Sequence, residues 1–165
     1  MESLPSDWIE LIGLLVRHRV RFLVVGAHAL AAHGRPRLTA DLDLLVEPTA
    51  LNARRLGAAL AEFGFGALAA AVEREMATAD RMLTLGRELR VDIMNAISGV
   101  TFAEAWAGRK RTALSGHRVS VIGHREFVRN KKASGRAKDL LDLALLAEVA
   151  ERPSRGRKAP RGRPS

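Results

Sequence analysis

The chain has 165 residues, the length of one ordinary domain. Hydrophobic residues make up 47% and charged residues 27%, which excludes a wholly disordered chain, and the lack of cysteine excludes disulfides, thiolate zinc sites and a cysteine nucleophile. The net charge of +9 is unevenly spread: six bases and no acid lie from Arg152 to the end, and ten bases face two acids between Glu104 and Lys138, which points to polyanionic partners such as nucleic acid or nucleotide phosphates.

The opening MESLPSDWIE carries acids where a secretory leader carries bases, and no apolar run reaches the roughly 18 residues of a membrane span. A cytoplasmic protein without membrane contact is expected. Asp7 followed by Glu10 resembles a capping box that opens a helix to about Val16. FLVV at residues 22–25 reads as a buried strand ending at Gly26. A short helix over AHALAAHG stops at Gly34, and a second strand, LDLLV, follows from Asp41. Asn52 to Phe63 reads as a helix broken by GFG, while Ala67 to Asp80 stays ambiguous.

Arg81–Leu85 and Glu88–Met94 read as two strands joined at Gly86-Arg87. Phe102–Ala107 is a short helix, and a hairpin over Arg111–Leu114 and Arg118–Ile122 turns at Ser115-Gly116. Two final helices separate near Ser134-Gly135. The expected class is therefore α/β (α+β): a mixed sheet flanked by helices, with a C-terminal helical segment. The folded domain spans residues 1–150. Residues 151–165, rich in Pro, Gly, Arg and Ser, form a basic tail that cannot bury enough surface to fold.

Some patterns carry little chemistry. GFGALA at 64–69 imitates a dinucleotide loop but follows a helix instead of a strand. The five histidines are scattered, and each reads as a capping or surface residue before a metal ligand. The informative motif is Asp41-Leu42-Asp43. On a strand, its two carboxylates project from one face while Leu42, Leu44 and Val46 project from the other. Alone, such a pair is an ordinary strand end dipping into water. A hard divalent cation would relieve its repulsion, and Mg²⁺ prefers oxygen ligands of this kind.

Three neighbours strengthen the metal reading. VVGAHALAAHG places a buried strand against a Gly26-Ala27 turn and a helix start, a seat for phosphate. Asp92, between Val91 and Ile93, should point away from the core and supply a third carboxylate for a two-metal site. NKKASGRAKDLLDL gathers Lys131, Lys132, Arg136 and Lys138 ahead of Asp139, either as helix capping with a surface ion pair or as a cationic clamp on a triphosphate.

Together these segments resemble the DNA polymerase beta-like nucleotidyltransferase superfamily, whose pattern is an apolar strand, Gly plus a small residue, a short helix and an acid-x-acid strand. More narrowly, GAHALAAHGRPRLTADLDLLV with NKKASGRAKDLLDL is similar to the AbiEii-type toxin branch and its minimal relatives, through Arg37, Thr39, Asp41 and Asp43 and the late Lys131, Arg136 and Asp139. Lys132 could stand in for Lys131. The resemblance implies a nucleotidyltransferase-like fold and transfer of a nucleoside monophosphate from an NTP to an acceptor in RNA, protein or a small molecule. It also implies two Mg²⁺ ions on Asp41, Asp43 and Asp92, and a toxin paired with an antitoxin protein. Gly26, Ala27, Arg37, Thr39, Lys131, Arg136 and Asp139 would contact or orient the nucleotide. Ala27 departs from the usual Gly or Ser, so a hydroxyl that could bond phosphate is missing. That departure supports the rival reading of a catalytically silent nucleotidyltransferase fold serving as a nucleic-acid-binding or regulatory module. A plain structural α/β domain is the third reading.

Overall fold

The computed structural model describes residues 4–78, 80–88 and 90–150. The first helix, α1, is Ser6–Arg17, and it leads to β1, Phe22–Val25. The Asp7–Glu10 capping box is not formed. Pro5 is the cap, its carbonyl accepts from Trp8 and Ile9, and no side chain caps the start. Helix α2, Gly26–Ala32, opens directly at the end of β1, and β2 is Asp41–Val46.

Helix α3 is Ala50–Leu60, two residues earlier than expected, because the Thr49 hydroxyl accepts from the Asn52 amide. Behind that cap, buried Asn52 braces the chain: its Oδ1 accepts from the Arg21 amide at 2.8 Å, and its Nδ2 donates to the carbonyls of Arg21 and Glu47. Beyond Leu60 the chain widens into a π turn, Ala61–Phe65, where Gly64 has φ +111°, and tightens into a 3₁₀ turn before α4, Ala69–Glu75. The segment that the sequence left open is therefore partly helical. Taken by length and composition, Ala50–Glu75 is apolar enough to cross a membrane. The bend at Gly64 instead folds α4 back on α3, so that a Cβ at Gly57 would stand 3.1 Å from the Ala69 carbonyl oxygen.

Strands β3, Met82–Leu85, and β4, Arg90–Met94, form the expected antiparallel pair. Helix α5, Phe102–Ala107, starts at a true capping box between Thr101 and Glu104 that the sequence reading missed. Strands β5, Lys110–Leu114, and β6, His117–Val121, turn through Ser115 and Gly116, both at positive φ. Helix α6, His124–Ser134, stops at left-handed Gly135, and α7, Ala137–Ala150, follows. The basic tail from 151 lies outside the described residues.

The six strands form one mixed sheet in the order β3-β4-β2-β1-β6-β5. β1 runs antiparallel to β2 and parallel to β6, and β2 runs parallel to β4. Leu23, Leu42, Leu44 and Ile93 sit in the centre of the sheet, fully buried, among α1, α2 and α3 side chains such as Leu11, Leu30 and Leu56. His33 is the C-cap of α2, in line with the capping reading, and both it and His28 are half-buried instead of lying on the surface. His28 stands edge-on to Trp8, and a ring nitrogen of His33 lies 2.8 Å from the Ile122 carbonyl oxygen.

Candidate active site

One lateral row of the sheet assembles the site. Val25 pairs with Asp43, Asp43 with Asp92, and Asp92 with Thr84. Two carboxylates thus face each other from adjacent parallel strands, with Asp41 two residues away on the same face as Asp43. Leu42 and Leu44 alternate with them into the core, and Val91 and Ile93 do the same around Asp92. Gly26 follows Val25 immediately and has φ +64°. A Cβ there would overlap the Asp43 carboxylate, so the backbone and the acid touch only because glycine is present.

Asp41, Asp43, Asp92, Gly26, Arg37, Lys131, Arg136 and Asp139 all line one open cleft of about 670 Å³. Two sequence candidates lie elsewhere. Ala27 is buried and off the cleft wall. The Thr39 hydroxyl closes on its own chain, accepting from the Asp41 amide at 3.1 Å and so fixing the start of β2. Lys132, the proposed substitute for Lys131, is exposed on α6 and does not line the cleft.

The acids meet cations in two places. At the sheet, Arg90 lies 3.4 Å from Asp41 through Nε and donates to Asp92 through Nη2 at 3.2 Å, and the Thr84 hydroxyl donates to Asp92 at 2.7 Å. Asp43 has no such partner among the described residues. Burial pushes its carboxyl above the usual range, the charges of Asp92 and Asp41 push it further, and Lys138 and Lys131 only partly oppose this.

Behind the cleft lies a buried ionic chain. Lys131 Nζ is 2.9 Å from Asp139 and 3.0 Å from Asp142. Arg37 grips Asp142 with Nε at 2.7 Å and Nη2 at 3.3 Å, and Arg136 Nε donates to Asp139 at 2.9 Å. Both aspartates are fully buried. Burial alone would raise them, yet Arg136 and Lys131 hold Asp139 below the usual carboxylate range, and Arg37 and Lys131 do the same for Asp142. The chain ties the segment before β2 to α6 and α7. Of the two readings of Lys131 the ion pair is the one present, buried instead of on the surface: the side chain is 5% exposed and shared by two carboxylates.

Sequence reasoning missed Arg90 and Asp142. The signals were present in the spacing. Arg90 is two residues before Asp92, hence on its face, and Asp142 is three after Asp139, hence on one side of α7, as an acid inside an otherwise leucine-rich helix.

Among the described residues, no three acidic or histidine side chains stand ready as a closed metal cluster. The donor set nonetheless suits a hard divalent ion. Three carboxylates converge from β2 and β4, and the repulsion of Asp43 by the other two is only partly offset by Lys138 and Lys131.

No protein-family model and no curated protein matches the sequence. Solved structures do resemble the fold. A candidate nucleotidyltransferase from Thermotoga maritima aligns over 92% of this chain and 98% of its own, with a TM-score of 0.53 and 13% identity. A lincosamide antibiotic adenylyltransferase, solved with lincomycin bound, aligns over 90% of this chain and 99% of its own, with a TM-score of 0.51 and 8% identity. The chain thus has a nucleotidyltransferase fold: a six-stranded mixed sheet flanked by helices.

Gly26→Ala is expected to lose about 1–2 kcal/mol from its left-handed backbone alone, and more from overlap with Asp43, as read from denaturant midpoints. Asp142→Asn should cost about 3–5 kcal/mol at neutral pH, because it leaves Arg37 and Lys131 short of a buried partner. Lowered carboxyl pKa values stabilise above the ordinary aspartate range and lose that effect as pH falls through the folded values. The gap between Asp142→Asn and the unsubstituted protein should therefore narrow under strongly acidic conditions, in unfolding curves measured across pH.

Proposed function

We propose that this chain is a Mg²⁺-dependent nucleotidyltransferase that moves a nucleoside monophosphate from an NTP to an acceptor hydroxyl. The observation that carries the reading is the placement of Asp41, Asp43 and Asp92 in one cleft directly beside the Gly26 corner. The nucleotidyltransferase fold agrees with it.

Asp41, Asp43 and Asp92 would hold the metal. Bound magnesium would neutralise phosphate charge and favour the ionised acceptor oxygen. The Gly26 backbone admits the triphosphate close to Asp43, and the cleft cations oppose its negative charge. The acceptor oxygen attacks the α-phosphorus and a new P–O bond forms. The bond from that phosphorus to the bridging oxygen breaks, and pyrophosphate leaves. Asp92, held by Thr84 and Arg90, is placed to orient the hydroxyl or receive its proton.

The similarity to AbiEii-type toxins extends the proposal to a cytoplasmic toxin kept in check by an antitoxin protein. The acceptor is proposed to be RNA, because basic residues dominate from Glu104 to Lys138 and again from Arg152 onward. Buried Ala27, which offers no hydroxyl to a phosphate, favours the second reading of a silent fold that binds nucleic acid.

Incubation with each labelled NTP, Mg²⁺ and total cellular RNA or protein tests the reading. Label should enter the RNA fraction, and no label in any fraction would leave the silent fold. Asp43→Asn should abolish labelling. The same substitution should raise the melting temperature most at the high end of the pH range, since burial and the charges of Asp92 and Asp41 disfavour the ionised carboxylate. The gain should vanish at acidic pH, where the native side chain is protonated. Truncation before Arg152 should weaken RNA retention in low salt, with a smaller difference at high salt, as read by filter binding.

A further inference from the structure

The cations of the cleft differ in what they already hold. Lys131 is buried and lies between two fully buried carboxylates. Arg37 is committed to Asp142 and is only 16% exposed. Drawing Lys131 out toward a ligand would leave Asp139 with Arg136 alone and Asp142 with Arg37 alone, both without access to water. Such a rearrangement is costly in a low-dielectric interior.

Lys138 is in the opposite situation. It is exposed, it stands in the first turn of α7, and it lines the same cleft as the three carboxylates. Among the described residues it has no ion pair and no hydrogen bond through its side chain. It lines one cleft with Asp43, and its charge opposes the upward shift of that carboxyl. It is also one residue before Asp139, the anchor of the buried chain, so its backbone is fixed while its four-carbon stem is free. A strongly hydrated ammonium on a flexible stem suits a triphosphate whose oxygens vary in position.

We propose that Lys138, instead of Lys131, contacts the phosphates in this cleft. Lys131 is then a positioning residue: with Arg37, Asp139 and Asp142 it holds α7 so that Lys138 faces Asp43. The assignment rests on the nucleotidyl-transfer reading and divides the labour within that site.

Titration calorimetry with magnesium tripolyphosphate, and with each of the four magnesium ribonucleoside triphosphates, tests it alongside melting temperatures. Lys138→Ala should weaken binding about tenfold or more without changing the melting temperature, and Lys138→Arg should recover most of the loss. Lys131→Met should lower the melting temperature. Binding by Lys138→Ala as tight as that of the unsubstituted protein overturns the assignment. So does a Lys131→Met protein that melts normally yet loses binding. If the unsubstituted protein binds none of these ligands, the nucleotidyl-transfer reading fails and the assignment fails with it. Because Lys138 is exposed, its variants test the proposal even where Lys131→Met does not fold.

Discussion

The site depends on a single register. Sliding β2 by one residue against its neighbours would send Asp41 and Asp43 into the leucine core and bring Leu42 and Leu44 to the cleft. The apolar face prevents that slip. Leu42 and Leu44 are fully buried, and so are Val24 on β1 and Ile93 on β4, both paired with Leu44. Ordinary hydrophobic burial therefore fixes the position of charged groups that repel each other. The sheet tolerates Asp43 opposite Asp92 because the other side of the same strands supplies the favourable energy.

Charge is then managed differently at each depth. At the sheet surface, two of the three carboxylates share the half-exposed guanidinium of Arg90, and the third faces the open cleft. Deeper, Arg37, Lys131, Asp139 and Asp142 close on one another with little exposure. The deep group joins three distant parts of the chain and holds α7 over the cleft. In the shallow group Arg90 and Asp41 keep some exposure, while Asp92 is buried and held by Thr84. Exposure therefore separates the bases of the two groups, half-exposed Arg90 from buried Lys131, more than it separates their acids.

Much of this was legible in the residue order. The strands at Phe22, Asp41 and Arg118, the hairpin turn at Ser115-Gly116 and the helix stop at Gly135 follow from local apolar runs and glycine placement. Convergence of Asp41, Asp43 and Asp92 could be anticipated because alternation along a strand fixes facing. Other features depended on partners distant in sequence. Lys131 looked like a surface cation because its neighbours are polar, yet its burial is set by Asp142 on the next helix. Thr39 looked like a ligand contact but satisfies the backbone of β2. The start of α1 was misjudged, because the helix already runs from Ser6 with the Pro5 carbonyl accepting from its first turn and Asp7–Glu10 idle, whereas Phe102–Ala107 was placed correctly although its Thr101–Glu104 box went unread.

The position of Arg90 has a consequence for how the cleft responds to its surroundings. Because a guanidinium already bridges Asp41 and Asp92, entry of a divalent ion there would replace one positive charge by another instead of filling an empty anionic hole. Under the proposed function the net electrostatic gain would be smaller than the three carboxylates suggest, and an arginine released by the ion would become a new cation at the cleft mouth. A metal-loaded cleft would therefore present a more positive rim than a metal-free one, and anionic ligands would meet a surface whose attraction grows only after the metal has arrived.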